Sequence, residues 1–230
     1  MKTDSELQQD VLDELSWEPG IHATSINVSA KNGVVTLTGL VSNYPEKLIT
    51  ENVPKRVRGV RQIVSEIKVV LPSGLSKYKD ADIRQVAETI LKWNIAVPDD
   101  KVLLSVEKGH IRLSGEVNWQ YQKIALENTL RYIKGVTGIT NHIVIVPRAH
   151  TSQAKTSIEN ALKRNVWINA EKIDVNADGS KVTLRGEAIS WEELQEAERS
   201  AWALPGISMV NNQLLLTDKT SDFSNTSAQP

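Results

Sequence analysis

Three short stretches of the chain alternate apolar and polar residues and stop at a glycine: VTLTG at Gly39, IRLSG at Gly115 and VTLRG at Gly186. Alternation with β-branched residues predicts a half-buried strand in each. A second alternating run precedes every one of them, INVSA, LLSVE and IDVNA. The turns KNG, KG and ADGS between the runs carry a glycine that supplies positive φ, so each pair predicts a hairpin. Val28 to Leu37 and Val175 to Leu184 span 9 residues, whereas Val106 to Leu113 spans 7. A difference of two keeps the inward face; a difference of one would turn every side chain over.

Upstream of each hairpin the period changes. Leu7, Val11 and Leu15 recur in steps of four, as do Ile83, Ala87 and Leu91, and then Ala154, Ile158 and Leu162. Each set predicts one stripe of a helix. Downstream, a second helix is predicted from about Glu46, Gln120 and Glu192. It closes at a second glycine, Gly59, Gly135 or Gly206, each 20 residues after the first. A final apolar run supplies a third strand: IVSEIKVVL, ITNHIVIVP and MVNNQLLLT. The first glycines lie 76 and 71 residues apart, and an acidic residue stands 12 after each of them, at Glu51, Glu127 and Glu198. Shared internal spacings of this kind mark one unit written three times.

The unit reads helix, strand, strand, helix, strand. The fold class is therefore α+β: three tandem αββαβ domains, each a three-stranded mixed sheet with two helices on one face. The boundaries fall at 4–71, 80–147 and 152–217, with linkers PSGLSKYKD (72–80) and PRAHTSQ (147–153) and a polar tail, 218–230, expected to be disordered. If strands two and three are parallel but not adjacent, strand one lies between them. The first glycine either relieves a positive φ where the backbone leaves the sheet or lets helix two approach closely. The second is expected at the helix C′ position, with Val60, Val136 or Ile207 making the apolar contact that follows. Pro54 should kink the last turn of helix two in copy one, and Pro205 should end that helix early in copy three.

The pattern resembles the BON domain family of bacterial osmotically inducible and nodulation proteins. VTLTGLV and RVRGVRQIVSEIKV carry the likeness in copy one, IRLSGEV and YIKGVTGITNHIVIV in copy two, and VTLRGEA and LPGISMVNNQLLL in copy three. The resemblance implies an αββαβ domain without enzymatic activity or cofactor. It also implies association with phospholipid membranes or other surface partners, often in bacterial envelope or osmotic stress. Many relatives are exported. Here MKTDSELQQDVLDEL is acidic and lacks an apolar core, so no secretory signal is expected. The expected location is the cytoplasm, peripheral to the inner membrane.

Composition narrows the chemistry. The chain has 27 basic and 28 acidic residues in 230, a balance that argues against a dedicated nucleic-acid partner. With no cysteine there is neither a disulfide framework nor a thiolate metal site. His22, His110, His142 and His150 recur at no shared position, so no metal site is expected. Glu51, Glu127 and Glu198 read as a solvated helix face rather than as catalytic carboxylates. The segment PKRVRGVR gathers Lys55, Arg56, Arg58 and Arg61, a candidate footprint for anionic headgroups; the plainer reading is charge complementing a helix C-terminus. Tyr44, Trp119 and Trp191 stand at the start of helix two, as membrane-contacting tips or as rings packed over the helix start. Trp17, Trp93 and Trp202 are expected in the core. Two functions stay open: a module for phospholipid surfaces or anionic ligands, and a self-assembling homo-oligomeric scaffold joined through sheet edges such as QLLLT.

Overall fold

The computed structural model describes residues 2–73, 78–96, 101–146 and 154–217. The predicted linker 147–153, residues 74–77 of the first linker and the tail 218–230 lie outside the described residues.

Domain 1 runs α1 (Asp4–Trp17), β1 (Ile26–Lys31), β2 (Val34–Val41), α2 (Tyr44–Asn52) and β3 (Gln62–Val69). Domain 2 repeats it as α3 (Asp80–Trp93), β4 (Val102–Glu107), β5 (His110–Val117) and α4 (Gln120–Leu130), with a third strand split into β6 (Gly138–Asn141) and β7 (Val144–Ile145). Domain 3 runs α5 (Ala154–Arg164), β8 (Ile173–Asp178), β9 (Lys181–Ala188), α6 (Trp191–Trp202) and β10 (Met209–Leu216). The helix-one stripes are buried as their spacing requires: Leu7, Val11 and Leu15; Ile83, Ala87 and Leu91; Ala154, Ile158 and Leu162. α1 begins in a capping box, the Thr3 hydroxyl accepting from the Glu6 N–H while the Glu6 carboxylate accepts from the Thr3 N–H.

All three hairpins close with two-residue loops, between Lys31 and Val34, Glu107 and His110, and Asp178 and Lys181. Asn32–Gly33 and Lys108–Gly109 both take positive φ at each position, the twist that a two-residue hairpin loop prefers. Val28 pairs with Leu37 and Val175 with Leu184; in copy two Leu113 pairs with Leu104, two residues before Val106. The inward face survives that shift. Leu37, Leu113 and Leu184 are fully buried, each contributing about 1.5–3 kcal/mol.

The middle strand is strand two, not strand one. The order is β1-β2-β3 in domain 1 and β10-β9-β8 in domain 3, and β2 pairs with β3 in parallel. The helical crossover therefore returns to the strand it left, and strand two gains a neighbour on both sides. The first glycine also sits inside this strand. Gly39, Gly115 and Gly186 have φ of 145°, 122° and 124°. A Cβ there would lie 2.2, 2.0 and 1.9 Å from the carbonyl oxygens of Ser25, Lys101 and Lys172. The close approach comes from the backbone leading into strand one, not from helix two.

Helix two stops before the second glycine. In copy one α2 ends at Asn52 and Val53–Arg56 tighten into a 3₁₀ turn containing Pro54. Gly59 then occupies the third position of a turn in which the Val60 N–H donates to the Val57 carbonyl. The same bond joins Val136 to Ile133 and Ile207 to Leu204. Pro205 falls within that turn, and α6, at 12 residues, is longer than α2 or α4, so it is not shortened.

Each domain encloses its own core, and every pair of domains touches. Tyr44, at the start of α2, is buried in the core of domain 2, with Leu48 and Val69 packed beside it. Trp191 occupies the same position in domain 3 and donates its indole N–H to the Val60 carbonyl of domain 1 at 3.0 Å. Trp202 packs against the cores of domains 2 and 3 together, and so is partly buried as expected. Domain 3 thus leans on domain 1, domain 1 on domain 2, and Trp202 ties domain 2 back to domain 3. The joints from 3 to 1 and from 1 to 2 use equivalent positions head to tail, which is how a closed ring is built.

Candidate functional site

Three buried side chains anchor the loop that follows helix one. Glu46, Gln122 and Glu193 each lie 7 residues after the first glycine, and all are buried. Glu46 accepts hydrogen bonds from the backbone N–H groups of Ser42 and His22 and from the Ser42 hydroxyl. Glu193 accepts from the N–H groups of Asn169 and Ile189. Gln122 accepts from Asn118 and Trp119 and donates to the Ala96 carbonyl. Burial pushes the Glu46 carboxyl up, but the bonds from Ser42 and His22 outweigh it and hold the group below the usual carboxylate range. The spacing is as regular as that of the glycines, and sequence reasoning passed over it because a buried glutamate reads as a surface residue.

The anchored loops carry exposed aromatics. Trp17 is 85% exposed, Trp93 82% and Trp167 77%. Ile95 and Val166 beside them are open to solvent. The expectation that Trp17 and Trp93 are core residues is overturned. Each lies two residues past the last buried leucine of its helix, about 200° round the axis from the core stripe. In copy three Arg164 stands at the aligned position, and the tryptophan comes three residues later at Trp167. Asn165, the first residue after α5, donates its side-chain amide to Glu196 at 2.6 Å. A bond from Arg199, with this one, holds the Glu196 carboxyl below its ordinary range.

Domain 2 extends this surface. Val86, Ile90 and Trp93 form one stripe along α3 beside a cavity of about 370 Å³ lined also by Tyr132 and Ile133. Domain 1 has Asp10, Glu14 and Arg56 where domain 2 has Val86, Ile90 and Tyr132. There Arg56 pairs with Glu18 at 2.9 Å, which places the basic segment beside Trp17.

The other predicted residues fall as follows. Lys55, Arg56, Arg58 and Arg61 line one cleft of about 230 Å³ between domains 1 and 3. Trp191 forms part of its wall, with the Lys55 ammonium 5.6 Å from the ring centre. Trp119 is half-buried, its ring 6.4 Å from that of Tyr121. Tyr44 is no exposed tip: burial in domain 2, then the charge of Glu127, pushes its hydroxyl pKa up. Glu51 accepts from the Ser65 hydroxyl and Glu198 from the Asn212 side chain, so these carboxylates are half-buried joints between helix two and strand three. His22 meets Glu46 and His110 meets Thr140, while His150 lies outside the described residues. Among the described residues no cluster of His, Asp and Glu is placed to hold a metal ion. Among them, too, no helix is long and apolar enough to cross a membrane.

Three small αββαβ units, with exposed aromatic loops and a basic cleft, define a class of tandem binding modules. The BON domain profile matches residues 3–70, 79–147 and 150–218, and the chain belongs to the BON domain family. No individual curated protein matches it. Among solved structures, the chain is similar to CdsD, a structural protein of the type III secretion system of Chlamydia trachomatis. The identity is 16%, with 92% of each chain covered and a TM-score of 0.26. It is likewise similar to the C-terminal domain of CdsD, at 16% identity, 94% and 100% coverage and a TM-score of 0.26. The PrgH periplasmic domain follows at 12% identity, 90% and 100% coverage and a TM-score of 0.22.

Proposed function

We propose that this chain is a non-enzymatic protein that docks on phospholipid surfaces through its three tryptophan-bearing loops. The observation that carries the reading is the exposure of Trp17, Trp93 and Trp167, one per domain, at the same place in the repeat. Large aromatics left in water on anchored loops suit the membrane interface, where the ring is half-immersed. In a ring of equivalent units, equivalent loops face the same way, so three weak anchors act together. The basic segment beside Trp17 supplies attraction to anionic headgroups, at about 1 kcal/mol per residue near the surface. BON domains are associated with phospholipid membranes, in accord with this reading.

Sedimentation with phosphatidylglycerol and phosphatidylcholine vesicles tests it. Wild-type protein should bind the anionic vesicles, with a blue shift in tryptophan emission, and release them as salt rises. The variant Trp17→Ser, Trp93→Ser, Trp167→Ser should lose about tenfold or more in partitioning. Undiminished binding by that folded triple variant would sink the reading. A scaffold is the second reading, favoured by Met209 and Leu215, which lie exposed on the edge strand β10. A discrete oligomer in light scattering that Leu215→Lys dissociates would favour it.

A further inference from the structure

We infer that the cleft between domains 1 and 3 is a binding site for a phosphoryl group, and that a ligand there clamps the two domains together. The inference stands apart from the tryptophan loops. The cleft is bounded by residues 55–61 of domain 1 and by residues 189–192 and 216–217 of domain 3. Four basic side chains line it against one carboxylate, Glu192. Arg56 is already matched by Glu18 at 2.9 Å. Two positive charges are left in surplus, the complement of a phosphomonoester dianion.

The remaining cations are placed to use that surplus. The Lys55 ammonium donates to the side-chain carbonyl of Asn52 and lies over the Trp191 ring, two neutral partners that leave its charge uncompensated. Arg58 is exposed and forms no ion pair among the described residues. A guanidinium beside an ammonium matches phosphate oxygens in both charge and geometry.

A second observation points the same way. The Thr217 hydroxyl lines the cleft, is buried, and makes no hydrogen bond among the described residues. A buried hydroxyl without a partner is destabilising, and a ligand oxygen would satisfy it. At the joint between domains 1 and 2 the equivalents of Arg56, Arg61 and Thr217 are Tyr132, Thr137 and Val70. Tyr44 is buried there. Two cations and the orphan hydroxyl are therefore particular to the joint between domains 1 and 3.

The volume bounds the ligand. About 230 Å³ is below the ~300–1,000 Å³ of sites for drug-sized molecules, so a phosphoryl group with a few carbons is the fitting size. A free organic phosphate and a phospholipid headgroup share that chemistry. Calorimetry on the full chain with inorganic phosphate and glycerol 3-phosphate, at matched ionic strength, tests the first. Phosphatidylglycerol vesicles test the second. Arg58→Gln and Thr217→Val should each weaken saturable glycerol 3-phosphate binding by about tenfold or more. Without ligand, Thr217→Val should melt no lower than wild type, because it removes an unsatisfied group. Silence from both soluble phosphates, with vesicle binding that Thr217→Val weakens, would assign the site to the headgroup and still support the inference. Failure of every probe, or binding indifferent to both substitutions, overturns it. The tryptophan variants report separately on the membrane reading, so the two can fail independently.

Discussion

Removing Tyr44 tests whether the three domains form one cooperative body. The ring belongs to domain 1 in sequence and to domain 2 in packing, and only 7% of the residue is exposed. A buried aromatic covers about 150–250 Å², which at about 25 cal/mol per Å² amounts to about 4–6 kcal/mol. Measured aromatic-to-alanine changes in cores run at about 3–5 kcal/mol. We therefore expect Tyr44→Ala to cost about 3–4 kcal/mol. With a urea m-value of about 3 kcal/mol/M for a chain this long, the midpoint should fall by about 1 M. Tyr44→Phe keeps the ring and drops the hydroxyl, so it should cost about 1 kcal/mol or less. Tyr132→Ala, at a residue 72% exposed, provides the surface control. Urea melts followed by circular dichroism and by tryptophan emission should coincide for wild type and separate for Tyr44→Ala, as domain 1 uncouples from domain 2. If Tyr44→Ala moves the midpoint no further than Tyr132→Ala, the ring does not join the domains.

Further outcomes follow from single residues. Gly115→Ala places a Cβ 2.0 Å from the Lys101 carbonyl oxygen at φ 122°. It should cost at least about 2–3 kcal/mol by thermal melting. Gly179→Ala, at φ 57° with nothing within 4 Å, should cost about 1–2 kcal/mol; equal costs would refute the close-approach argument. The Glu46 carboxyl titrates below its unfolded value. Its contribution is present above that unfolded value and is lost as pH falls through the lower folded one. Glu46→Gln should therefore destabilise at pH 7 and flatten the fall in urea midpoint between pH 5 and 3; an unchanged slope would remove Glu46 from the account of acid sensitivity.

The repeat was legible because its signals are local. Stripes such as Leu7, Val11 and Leu15, alternating strands and glycine-bearing loops each report on a few neighbouring residues. Central placement of strand two was not legible, since sequence order does not say which side of a hairpin a crossover strand joins. The aromatics were harder still. Tyr44 and Trp191 sit at equivalent starts of helix two, and both are taken up by a neighbouring domain whose surface no local pattern describes. Trp17 looked like core because tryptophan is apolar, yet the period that buries Leu15 turns Trp17 outward. Glu46 and Glu193 looked like surface because glutamate is charged, yet backbone N–H groups waiting in the preceding loops draw both inside. The basic residues were visible one by one, but the cleft they share needs Thr217 and Trp191 from far along the chain.

The head-to-tail joints carry a consequence for stoichiometry. A surface pair that repeats with a rotation either polymerises without limit or returns to its origin and stops. Here the linkers hold three copies in one polypeptide, and Trp202 completes the circuit, so both partners of the pair are consumed within a single molecule. The chain is in effect its own trimer, fixed at three by covalent connection and independent of concentration. A fourth unit would find no vacant place, and deleting one domain should leave a sticky remnant rather than a smaller version of the same protein.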